Sequence, residues 1–190
     1  PKASGSLFTK IAKGFEEWRE LGLVEGVLPK MNGAQADGCS PIATAFANNH
    51  DICKPVKPNT IAKSLAIGNP ADGPYALEVA RKSGGSIDSV SDQEIREGIA
   101  LLAQTTGVFT ETAGGVTTAV LAKLAARGDI DPEERVVLVI TGEGLKTLDA
   151  VRGTFESHEI DPSVEQFETL VEQAAADTTN TPAAFAGARS

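Results

Sequence analysis

Apolar residues recur every three or four positions along much of the chain, and this spacing predicts amphipathic helices. The clearest run covers residues 8–21, with charged residues between the apolar positions, and Gly22 is expected to end it. Further helices are predicted just after residue 40 and over residues 60–67, 75–82, 92–105, 115–126 and 164–176. Ser91 and Glu94 have the spacing of a capping box, which fixes the start of the helix over 92–105.

Short apolar or extended segments between these helices predict strands. Residues 86–90 form one, and weaker ones are predicted over 30–35 and 108–109. The strongest is predicted over 135–140, because an uninterrupted aliphatic run is typical of a parallel strand that is buried on both faces. Strands that alternate with helices predict an α/β fold, here a three-layer α/β/α arrangement with a mostly parallel sheet.

The charge of the chain narrows the classes of function. There are 26 acidic and 17 basic residues among 190, a net charge of −9, so a basic face for nucleic acid is not expected. No segment approaches the roughly 20 apolar residues of a membrane helix, and no apolar signal-peptide core is present, so we expect a cytoplasmic protein. Cys39 and Cys53 lack neighbours at metal-ligand spacing, and we therefore expect no metal site.

Three stretches next to predicted helices are candidates for a ligand site, because ligands of parallel sheets bind beyond the carboxyl ends of the strands. Residues 3–7 lead into the first helix, where free backbone N–H groups suit a phosphate, although Ser6 could equally cap the helix. Thr141 follows the strongest predicted strand and begins either a ligand-binding loop or a simple tight turn. Glu111 could bind a ligand or hold a neighbouring loop, and we favour the second role.

Several motifs, taken in chain order, resemble the threonine synthase family of pyridoxal-phosphate enzymes of fold type II. They are Ser4-Gly-Ser-Leu-Phe-Thr-Lys-Ile-Ala-Lys-Gly-Phe15, Gly33-Ala-Gln-Ala-Asp-Gly-Cys-Ser-Pro-Ile42, Lys57-Pro-Asn-Thr-Ile-Ala62, Ile67-Gly-Asn-Pro70, Val90-Ser-Asp-Gln-Glu-Ile95, Glu111-Thr-Ala-Gly-Gly115 and Thr141-Gly-Glu-Gly-Leu-Lys146. The resemblance runs from about residue 4 to about residue 153. It implies pyridoxal 5'-phosphate as cofactor and the large domain of fold type II as the fold.

The resemblance also assigns roles to residues. It places the cofactor phosphate and ring against Ala3, Ser4, Gly5, Ser6, Leu7, Glu111 and Thr141. The family attaches its cofactor to a lysine in a Ser-Phe-Lys-Asp type motif, and none of the ten lysines here has such neighbours. We therefore assign no catalytic residue and expect the isolated chain to be inactive.

By this resemblance the complete enzyme is a carbon–oxygen lyase that converts O-phosphohomoserine and water into threonine and phosphate. We expect residues 1–153 to be the C-terminal part of an incomplete large domain, 154–176 an acidic helical segment and 177–190 a disordered tail. The implied partners are the substrate, the missing N-terminal half and, for the complete enzyme, a second copy in a homodimer. The alternatives are another fold-type-II enzyme, such as a threonine or serine dehydratase or a cysteate synthase, and a non-catalytic half-domain that pairs with a partner chain.

Overall fold

The computed structural model describes residues 1–154 and 158–178. The chain divides into two compact units, Pro1–Arg152 and Gly153–Ser190. In the described part of the chain, no helix is long and apolar enough to cross a membrane.

The first unit alternates helices with two short strands. In chain order its elements are α1 (Ser6–Glu20), β1 (Gly33–Ala36), α2 (Pro41–Ala47), α3 (Gly73–Ser83), β2 (Ile87–Val90), α4 (Asp92–Thr106) and α5 (Thr112–Ala126). Two 3₁₀ helices, Lys63–Leu65 and Gly144–Ala150, lie in the connections. The second unit contains α6 (Val164–Thr178). The tail predicted over 177–190 lies, from residue 179 on, outside the described residues.

The predicted helices are confirmed within about three residues at each end, except that only a 3₁₀ turn forms within 60–67. Local sequence signals explain their starting points. The Ser91 hydroxyl accepts a hydrogen bond from the backbone N–H of Glu94 at 3.2 Å, and the Glu94 carboxylate accepts one from the N–H of Ser91 at 2.7 Å. This capping box satisfies two donors that a helix start would otherwise leave free.

Strands β1 and β2 pair in parallel, with Gly33 beside Ile87 and Ala36 beside Val90. One face of the pair carries Ala34, Ala36 and Val90 into a core shared with α4 and α5. The opposite face carries Ile87 into a second core with α1, α2 and α3. Helices therefore cover both faces of the sheet, which gives the three-layer arrangement that the sequence predicts.

Buried polar groups tie the strands to the helices on each side. Gln35, which is fully buried in β1, accepts hydrogen bonds at 2.9 Å from the backbone N–H groups of Ile42 and Ala43 at the start of α2. On the other side, Asp88 of β2 forms ion pairs with Lys123 and Arg127 of α5. Each of these polar side chains has a partner, so its burial does not leave an unpaired group.

The strands predicted over 108–109 and 135–140 are wrong. Residues 135–140 form no ladder, and Val137, which should have been buried, is 88% exposed. The nearby chain makes only an isolated antiparallel bridge between Thr110 and Glu143. An aliphatic run predicts burial, but a strand also needs a neighbour for its backbone hydrogen bonds, and no described strand runs beside this segment.

Candidate functional site

The residues predicted for the site converge on a single cavity of about 210 Å³. Its wall includes every one of them: Ala3, Ser4, Gly5, Ser6, Leu7, Glu111 and Thr141. The remaining lining residues are Pro1, Lys2, Phe8, Ser64, Leu65 and Ala113. Three stretches that are far apart in sequence thus meet at one place.

One end of the cavity is the N-terminus of α1. Gly5 precedes this helix with φ +102°, a left-handed conformation that favours glycine, and a Cβ there would lie 2.9 Å from the carbonyl oxygen of Asp72. No side chain caps the helix, so the capping role considered for Ser6 is wrong, and the N–H of Ser6 instead meets the Ser4 hydroxyl at 3.4 Å. Among the described residues nothing accepts a hydrogen bond from the N–H of Leu7 or Phe8. These free donors and the positive end of the helix dipole suit an anion.

The other end of the cavity is formed by Glu111 and Thr141. The Thr141 hydroxyl donates to Oε1 of Glu111 at 3.3 Å, and the backbone N–H of Glu111 donates to the carbonyl of Gly142 at 3.1 Å. A Cβ on Gly142 would lie 2.4 Å from Oε1 of Glu111, so only glycine allows this close approach. Glu111 is 8% exposed and holds the turn that carries Thr141, which is the loop contact favoured from the sequence.

Two side chains in the wall were not predicted. Ser64 reaches the cavity from the 3₁₀ helix Lys63–Leu65, and nothing in its local sequence indicates a ligand contact. Lys2 is only 1% exposed, with Nζ 3.9 Å from the centroid of the Phe8 ring and without a hydrogen-bond partner. Burial lowers the pKa of the Lys2 ammonium from 10.5 to about 7. A lysine in a run of small residues carries no sequence signal for such burial.

Groups suited to metal binding or to thiol chemistry are not assembled in the described residues. No group of three or more histidine, cysteine, aspartate or glutamate side chains is placed to hold a metal ion there. Cys39 and Cys53 are buried free thiols, and burial raises the pKa of each. Both therefore remain protonated at neutral pH and act as small apolar residues.

Comparison with known proteins gives the class of protein that this fold and cavity define. The chain belongs to the family of pyridoxal-phosphate dependent enzymes, whose sequence model matches residues 1–142. The family confirms pyridoxal phosphate as the expected cofactor.

Curated relatives narrow the class further, because they are threonine synthases. The enzyme from Methanocaldococcus jannaschii is 43% identical over 151 residues, which cover 79% of this chain and 37% of that enzyme. The enzyme from Halalkalibacterium halodurans is 39% identical over 165 residues, which cover 86% of this chain and 43% of that enzyme. The resemblance to threonine synthases is thus confirmed, and the chain spans less than half the length of these relatives.

Solved structures support the fold independently of close sequence similarity. A fungal L-serine ammonia-lyase from Rhizomucor miehei matches with a TM-score of 0.60 at 20% identity, covering 82% of this chain and 49% of that one. A bacterial threonine deaminase, from T.th., matches with a TM-score of 0.51 at 16% identity, covering 67% and 43%. At these identities the likeness concerns the fold alone, and it confirms the predicted α/β class of fold type II.

Proposed function

We propose that this chain forms the C-terminal part of the large domain of a threonine synthase and provides two walls of its cofactor pocket. The observation that carries the proposal is the convergence of the α1 N-terminus with Glu111 and Thr141 on one cavity. The threonine synthases that resemble the chain match it over 77–86% of its length, at identities of up to 43%. Threonine and serine dehydratases are the weaker alternative, because the similarity to such enzymes is one of fold.

The cavity fits pyridoxal phosphate by its donors and its shape. The uncapped N–H groups of Leu7 and Phe8, together with the hydroxyls of Ser4 and Ser6, offer hydrogen bonds to a phosphate. Because α1 lacks a side-chain cap, an anion bound here does not have to displace a competing carboxylate or hydroxyl. These groups would hold the phosphate and so fix the cofactor at one end.

Thr141 would meet the pyridine nitrogen at the other end. Its hydroxyl is neutral and, unlike a carboxylate, does not keep that nitrogen protonated. Glu111 accepts the Thr141 hydrogen bond and the backbone of Gly142 accepts one from Glu111, so the hydroxyl is held in place by a buried carboxylate. The cofactor, when bound, supplies an electron sink for carbanions of an amino-acid substrate.

The substrate and reaction that we propose are those of the relatives' family. O-Phosphohomoserine and water would give threonine and phosphate in the complete enzyme, which we propose is a cytoplasmic homodimer. The lysine that carries the cofactor and most contacts to the substrate phosphate would come from an N-terminal half that the chain's match to its relatives does not cover. The isolated chain would then bind the cofactor without catalysing the reaction.

Binding of pyridoxal phosphate to the purified chain, measured by isothermal titration calorimetry, tests the proposal. Ser6→Glu places a carboxylate against the phosphate and should abolish binding, because like charges repel at close range. Gln104→Glu adds the same charge at an exposed position of α4 and should leave binding unchanged. A chain that binds no pyridoxal phosphate, or a Ser6→Glu variant that binds as well as the parent, would contradict the proposal.

A second experiment tests the inactivity of the isolated chain. Borohydride treatment of the mixture, followed by peptide mass analysis, should reveal no single lysine that carries a stoichiometric pyridoxyl group. One lysine modified to completion would show that the chain contains its own attachment site and would refute this part of the proposal.

A further inference from the structure

The loop before the 3₁₀ helix Lys63–Leu65 is fixed by a buried polar clamp. The Thr60 hydroxyl donates to Oδ1 of Asp92 at 2.6 Å, and the backbone N–H of Ile61 meets both oxygens of the same carboxylate at 3.2 Å. The Thr60 hydroxyl also accepts a hydrogen bond from the N–H of Ala62 at 3.1 Å. Because Thr60 is only 4% exposed, these bonds are shielded from water and tie the loop to the first turn of α4.

The residues after the clamp are anchored in the core around one that is not. Ala62 and Leu65 are buried in the core shared by β1, α4 and α5. Ser64 lies between them, is exposed and lines the cavity. Its hydroxyl has no hydrogen-bond partner among residues 1–154 and 158–178, although its backbone is held on both sides. The loop thus presents a fixed and unoccupied hydroxyl group to the cavity.

We propose that the Ser64 hydroxyl is a further cofactor contact in this cavity and that Asp92 is its positioning residue. The inference rests on the proposed function, since it assumes that pyridoxal phosphate fills the cavity. Phosphate donors and Thr141 hold the two ends of such a ligand, and Ser64 adds a hydroxyl from a third element that can donate or accept. The clamp makes this contact effective, because a group that is already ordered loses little entropy on binding.

Calorimetric titration with pyridoxal phosphate tests the contact. Ser64→Ala should weaken the affinity about 3- to 10-fold, the effect of one lost hydrogen bond. Ser89→Ala removes a serine hydroxyl from β2, outside the cavity lining, and should leave the affinity unchanged. If Ser64→Ala binds like the parent while Ser6→Glu abolishes binding, the inference is overturned and the proposed function stands. If the parent chain itself fails to bind, the proposed function has failed, and the inference falls with it.

A double-mutant cycle tests the positioning role of Asp92. Asp92→Ala should weaken binding by a factor similar to that of Ser64→Ala, but it should add nothing in the Ser64→Ala background. A purely structural role would weaken binding to the same extent in both backgrounds, and that result would overturn the positioning role. Should Asp92→Ala fail to fold, Thr60→Val breaks the same clamp at nearly constant volume and takes its place in the cycle.

Discussion

Lys2 is expected to destabilise the folded chain at neutral pH, because its ammonium group is buried without a hydrogen-bond partner. The Phe8 ring, 3.9 Å from Nζ, compensates only part of the lost hydration. Burial lowers the pKa of Lys2 from 10.5 to about 7. This gap, taken at about 1.4 kcal/mol for each unit of pH, corresponds to about 5 kcal/mol of unfolding free energy.

The pH dependence of this cost follows from the two pKa values. Below pH 7 Lys2 is protonated in both states, and the whole cost is present. Between about pH 7 and 10.5 the unfolded chain binds more protons than the folded chain, so this residue makes the unfolding free energy rise with pH. Above pH 10.5 the lysine is neutral in both states, and the cost disappears.

Replacing Lys2 by methionine keeps the length of the side chain and removes its charge. Lys2→Met should raise the unfolding free energy at pH 7 by about 4 kcal/mol and lose the pH-dependent gain that the parent shows up to pH 10. Urea denaturation at one-unit pH steps from 6 to about 10 measures both effects. Lys10→Met, at an exposed position on α1, controls for the loss of a lysine. Equal stability of parent and Lys2→Met at pH 7, or identical slopes with pH, would refute the reasoning.

Further predictions concern helix packing, capping and the exposed aliphatic run. Gly98→Ala should destabilise the fold by about 1–3 kcal/mol, because its Cβ would lie 2.4 Å from a carbonyl oxygen of α5, whereas Gly14→Ala, with open space around it, should stabilise α1 by about 0.5–1 kcal/mol; urea denaturation that ranks them the other way contradicts this. Ser91→Ala should cost about 1 kcal/mol in the same assay through loss of the capping box, and an unchanged midpoint would contradict that role. Val137→Lys should reduce self-association in light scattering, and equal scattering by parent and variant would exclude this segment as its cause.

The helices could be predicted because their signals are local. The capping pair Ser91 and Glu94 acts within one turn, and the apolar period of α1 lies within 15 residues. The segment 60–67 shows the limit of such signals. Thr60 was expected to cap a helix, but its hydroxyl bonds to Asp92, which is 32 residues away in sequence, and only a short 3₁₀ turn forms. Competition from a distant carboxylate cannot be inferred from the local spacing.

The candidate site was predictable where ligand-binding chemistry coincides with the start of a helix. Residues 3–7, Glu111 and Thr141 each lie at such a junction, and the fold brings them to one cavity. Ser64 and Lys2 were missed for a different reason. Their position in the wall depends on how loops pack in three dimensions, and neither residue type in its local sequence indicates a ligand contact or burial.

The aliphatic run over 135–140 shows what hydrophobicity does and does not determine. Its residues favour a strand that is buried on both faces, yet the described chain leaves Val137 exposed and its backbone without a ladder. The same chain spans less than half the length of the threonine synthases that it resembles. On the proposal that the chain is the C-terminal part of such an enzyme, a strand from the N-terminal part would supply the missing hydrogen bonds, and the sequence prediction would be right for the complete sheet. The turn at Thr141 follows this run directly, so pairing of the run would also fix the position of one end of the cofactor cavity.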